Sequence, residues 1–154
     1  MKALALALVL VAVPYTVRAA DPFVGVYRFN AAKSATTGGQ MPAELTLTIW
    51  EEGANLMVAT SGKTAAGAAI TADVLVLPLA GGTVKAPAGE KNFDSTVVKR
   101  TNPNTIDMVA MQKGKERTRV KLALSRDGKT LTRSFTSTNA QGKPIQGTSV
   151  LERQ

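Results

Sequence analysis

Turn-forming residues recur along this chain, frequently at intervals of about 9 to 14 and elsewhere at about 20, and that spacing constrains the fold more than any other feature. They are Glu51-Glu52-Gly53, Ser61-Gly62-Lys63, Gly81-Gly82, Asn102-Pro103-Asn104, Lys113-Gly114, Asp127-Gly128 and Gln141-Gly142-Lys143-Pro144. Between them lie runs of Val, Thr, Leu and Ile, which suit a pleated surface. Intervals this short leave no room for long helices; they fit a meander of short antiparallel strands.

Two runs show the strand period directly. Leu45, Leu47 and Ile49 share one face of their segment, and Glu44, Thr46 and Thr48 share the other. Further on, Lys113, Lys115, Arg117, Arg119 and Lys121 alternate with a series that becomes apolar at Val120, Leu122 and Leu124. A helix would scatter those cations around its circumference, whereas a strand lines them up. Further strands are expected over 24–29, 55–60, 73–79, 93–100, 105–112, 130–138 and 145–152. Asp127-Gly128 is a tight hairpin turn, and Pro78 marks an edge or a bulge. The Ala-rich stretch 64–72 is ambiguous. The expected fold is all-β: an antiparallel up-and-down barrel of about 8–10 strands, which encloses either packed side chains or one small ligand.

The N-terminus carries different information. Lys2 precedes an unbroken apolar run from Ala3 to Val13, then Pro14, and Val17-Arg18-Ala19 places small residues where a signal peptidase needs them. As a helix that run spans about 16 Å, roughly half a bilayer core. The expected organisation is a signal peptide over 1–19 and one barrel domain over 20–154, without a membrane-spanning segment in the mature chain. The expected location is periplasmic or secreted.

Composition narrows the chemistry. The chain has no Cys and no His, which removes a thiolate nucleophile, a Ser-His-Asp arrangement and the usual zinc ligands. Glu51 and Glu52 are neighbours on opposite faces and do not converge as a glycosidase pair. No phosphate-loop motif is present. These absences weigh against an enzyme, although an isomerase or cyclase that needs only positioning stays open. No catalytic residue, metal site or cofactor is expected. Removing Lys2 and Arg18 from 19 basic residues leaves 17 against 11 acidic ones, a net charge of +6. The excess sits between Lys113 and Arg133, which holds eight basic and two acidic residues. The basic face is either a solvated strand surface or a docking surface for an anionic envelope component. It lacks the interleaved aromatics that nucleic-acid binding requires, so no nucleic acid is expected.

Phe23-Val24-Gly25-Val26-Tyr27 resembles the aromatic-x-Gly-x-Trp opening strand of lipocalins and fatty-acid-binding proteins. Asp127-Gly128-Lys129-Thr130-Leu131 and the last strand to Arg153 look similar to the end of that family. The whole chain resembles the small exported lipocalin-like proteins of bacteria, which implies a barrel holding a small apolar or amphipathic ligand. Three departures stand out. Tyr27 occupies the family's tryptophan position. Only 14 residues separate Phe29 from Glu44, where fatty-acid-binding proteins carry a two-helix lid. The family's carboxylate-holding Arg-x-Tyr falls on Ser149 and Leu151. Arg133 is the alternative cation: it shares a face with Leu131 and Phe135, so a barrel places its guanidinium inside, against a ligand anion, an internal ion pair or water at the mouth. Tyr27 and Trp50 are either pocket walls or packing.

Overall fold

The computed structural model describes residues 19–87, 90–138 and 142–154, with the side chains of Ala72 and Asp73 excepted. The proposed signal segment lies almost entirely outside these residues. Eleven strands occur among them: β1 (Gly25–Phe29), β2 (Ala35–Thr37), β3 (Glu44–Glu52), β4 (Asn55–Lys63), β5 (Ala69–Pro78), β6 (Gly82–Lys85), β7 (Ser95–Asn102), β8 (Thr105–Gln112), β9 (Lys115–Leu124), β10 (Thr130–Thr138) and β11 (Pro144–Arg153). A single 3-10 turn, Ala31–Lys33, separates β1 from β2.

All described pairings are antiparallel, and the sheet runs β5-β4-β3-β1-β11-β10-β9-β8-β7-β6. β2 pairs with β11 beyond β1, so the two short strands lie along the same neighbour. The sheet curls into a barrel with a seam: among the described residues, no ladder joins β5 to β6. Pro78 ends β5, an edge strand, where a missing N–H costs no ladder bond. The stretch 64–72 resolves into a tight turn and the start of β5, closed by the Thr64 N–H to the Ala68 carbonyl at 2.8 Å.

Period-two alternation builds the interior. Leu45, Leu47, Ile49, Leu56, Val58, Leu77, Val98, Ile106, Met108, Leu122, Leu124, Leu131 and Leu151 form one buried cluster with Phe23 and Tyr27. The lower end of this barrel is sealed by the segment that precedes β1. Phe23 and Tyr27 are fully buried, and the Tyr27 hydroxyl donates to the Phe23 carbonyl at 3.0 Å. Two arginines clamp the seal. Arg100 pairs with Asp21 and lies over the Phe23 ring. Arg153 donates to the carbonyls of Pro22, Val24 and Gly128 at 2.6–2.7 Å and stacks on Tyr27.

The expected five-cation row is interrupted by a bulge. Thr118 faces Ala110, but the next pair is Glu116 with Met111, so Arg117 is the extra residue. One inserted residue reverses the alternation on the far side of it. Glu116 therefore joins Arg119 on the outer face, where they form an ion pair at 2.7 Å. Lys115, opposite Gln112, takes the inner-face phase at the mouth, and Lys113 sits in the turn with φ of 51°. Lys121 approaches Asp107 at 4.0 Å. The outer surface here mixes both signs of charge.

Candidate ligand site

The upper half of the barrel is hollow. A central cavity of about 250 Å³ lies between β3–β5 and β7–β9, lined by Leu47, Val58, Leu75, Met108, Val120 and Leu122 among others. Thr60, Thr96, Thr118 and Arg133 supply its polar groups. A second, more open cavity of about 380 Å³ lies under the loop Gln40-Met41-Pro42 and the Thr64-Ala65 turn. Arg133 borders both.

Register explains why a guanidinium stands there. Arg133 faces Leu122 on β9 and Ser149 on β11, and Leu122 faces Ile106, which in turn faces Arg100. Residues opposite one another across a ladder project to the same face. One interior row thus contains two arginines in different circumstances. Arg100 has the Asp21 carboxylate and the Pro103 carbonyl. Arg133 has, among the described residues, neither a hydrogen bond nor an ion pair; its contact is the ring of Phe135, 5.1 Å from the guanidinium carbon. Burial alone pulls its pKa below the ordinary guanidinium value, with no anion offsetting the pull. The group still stays charged at neutral pH. It borders both cavities, so its donors are open to a guest.

Phe135 is set by a tight approach behind it. Gly147 faces it across the ladder, and a Cβ at 147 would meet both Phe135 Cζ and the Ala35 carbonyl oxygen at 2.8 Å. Glycine there lets the ring and β2 close together, and the ring covers one face of the guanidinium. One row nearer the mouth come Thr96, Ala110, Thr118 and Ser137, with Thr118 Oγ1 and Ser137 Oγ 2.8 Å apart.

The residues expected at the site separate into two groups. Arg133 and Phe135 face a cavity. Leu131 and Tyr27 lie in the sealed, fully buried lower core. Trp50 follows Leu45, Leu47 and Ile49 at the opposite parity, so it stands on the outer face opposite Met57. That placement was legible in the alternation. Val120 was already on the apolar face of its strand and Met108 suits a dry core or a ligand wall equally, whereas Leu75 and the three threonines were not singled out from sequence; their shared signal is that each falls on the inward phase of its strand. Among the described residues, no group of His, Cys, Asp or Glu is arranged to hold a metal ion.

No protein-family model matches the chain, and no curated protein matches it. Among solved structures, the crystal structure of the zebrafish ileal bile acid-binding protein complexed with cholic acid is similar. It has a TM-score of 0.53 and 13% identity, and the match covers 86% of this chain and 99% of that one. A likeness at that identity speaks to architecture: this chain is an all-β antiparallel sheet curled into a calycin-type barrel.

Proposed function

We propose that this protein binds a small amphipathic anion inside its barrel, with Arg133 holding the head and the central cavity holding the apolar body. The observation that carries the reading is the contrast within one interior row: Arg100 has its carboxylate and Arg133 has none. A half-buried cation without a partner is costly, and a ligand carboxylate supplies the missing anion through a bidentate fork. The fold neighbour, crystallised with a bile acid, supports a barrel of this type as a container. We further propose that the protein works in the periplasm or outside the cell, on the strength of its signal-like first 19 residues. Docking on an anionic envelope component through the face from Lys113 to Lys121 is the weaker reading, because Glu116 and Asp107 sit among those cations.

The test compares a carboxylate with its neutral twin. Decanoate is expected to bind at least about tenfold more tightly than decanol, since a charge-assisted pair is worth about 1.5–3 kcal/mol. Arg133→Met is expected to abolish that difference. Equal affinities in the unmodified protein, or an unchanged preference in the variant, would remove Arg133 from the site.

A further inference from the structure

We infer that the site discriminates by length: it takes medium-chain monocarboxylates and gains nothing from longer tails. This rests on Arg133 as the anion anchor, proposed above, and adds a limit set by the space beside it. The central cavity measures about 250 Å³. At roughly 30 Å³ for each water-sized group, that space holds about eight carbons. Its lower boundary is closed. Ile106 stands beside Leu122 in the same row, and below that row the barrel is packed by Leu124, Leu131 and Leu151, none more than 6% exposed. Beneath these lie Phe23 and Tyr27, held by the two arginine clamps. A tail that begins at Arg133 has nowhere deeper to go.

The second cavity does not lift the limit. It lies under the mouth loops and is the more open of the two, with Gln40, Thr64 and Ser149 standing beside Leu45, Ile70 and Phe135 in its walls. Carbons placed there leave less water behind than carbons enclosed between Leu47, Val58, Met108 and Val120. Each methylene buried in an apolar enclosure is worth about a fourfold gain in affinity, and a methylene left in water is worth none. The structure therefore predicts a break in a chain-length series rather than a steady climb.

The experiment is calorimetric titration of the purified protein with straight-chain carboxylates from butyrate to palmitate, each below its micellar concentration. Affinity is expected to rise about fourfold per carbon up to about nonanoate and then level. Ala110→Leu, which puts about three more carbons into the void, is expected to move the break to shorter chains by a similar number. Leu122→Ala is expected to move it the other way. If Leu122→Ala fails to fold, Ala110→Leu decides the matter, because it fills space rather than emptying the core. A fourfold climb continuing to palmitate would overturn the length limit while leaving the anchor intact. So would a break that stays in place in Ala110→Leu. Absence of binding by every carboxylate, or an Arg133→Met variant that binds the whole series as well as the unmodified protein does, would overturn the anchor and the length limit with it.

Discussion

Replacing Arg133 by methionine should stabilise the ligand-free protein while removing its affinity for carboxylates. The guanidinium sits inside the barrel with a single ring contact and no anion among the described residues. Desolvating an ion costs several kcal/mol even after relaxation. Two effects offset part of that here. A cavity of about 250 Å³ admits some water to the charge, and the Phe135 ring returns about 0.5–2 kcal/mol. The residual penalty is about 1–3 kcal/mol. Methionine keeps the aliphatic reach of arginine, packs against Leu122 and Phe135 and carries no charge. For a domain of this size, about 3–4 °C accompanies each kcal/mol, so the variant should melt about 3–12 °C higher. Its carboxylate affinity should fall by about 2–4 kcal/mol, some 30- to 1000-fold. The assay is a pair of thermal melts for each protein, with and without millimolar decanoate. Decanoate should raise the melting temperature of the unmodified protein and leave that of Arg133→Met unchanged. A ligand-free variant that melts lower than the unmodified protein would refute the reasoning, since Arg133 would then hold a stabilising partner.

Other consequences concern the scaffold. Arg153→Met should lower stability by about 2–4 kcal/mol in urea titrations, because Arg153 serves the carbonyls of Pro22, Val24 and Gly128. Gly147→Ala should cost about 1–3 kcal/mol, since its Cβ would press on Phe135 and the Ala35 carbonyl. Hydrogen exchange should then quicken at Ala35–Thr37. Tyr27 gives a pH signature. Burial pushes its pKa above 10.0, against the pull of Arg153, with Asp21 adding to the rise. A phenol whose folded pKa is raised contributes stability fully below the unfolded value and loses it as pH climbs through the folded one. Stability should therefore fall above about pH 10 more steeply than in Tyr27→Phe, read as the urea midpoint between pH 9 and 11. Parallel curves for the two proteins would show that Tyr27 titrates alike when folded and unfolded.

The strands were legible because burial on one face leaves a period of two, which needs no tertiary information. Leu45, Leu47 and Ile49 behave as the alternation requires, and Arg133 faces inward with Phe135 for the same reason. Ala35–Thr37 and Gly82–Lys85 escaped notice, being strands of three and four residues without a buried side chain. Their pairing is dictated by neighbours distant in sequence. The bulge at Arg117 escaped for a related reason. Alternation read along one strand assumes an even ladder, and an inserted residue is visible only against the partner strand. The base seal was illegible too. Asp21, Arg100 and Arg153 are far apart in the chain, and what joins them is the curl of the sheet. Trp50, expected in a pocket wall or in the packing, stands on the outer face instead, although its even position already set it outside.

The account stands on where a carboxylate lies when bound, and a crystal structure of the octanoate complex measures that directly. It should show the carboxylate oxygens at about 2.7–2.9 Å from the Arg133 guanidinium, with the tail running between Leu47, Met108 and Val120. Octanoate lodged at the Lys113–Lys121 surface, or inside the barrel with its head turned away from Arg133, would contradict it.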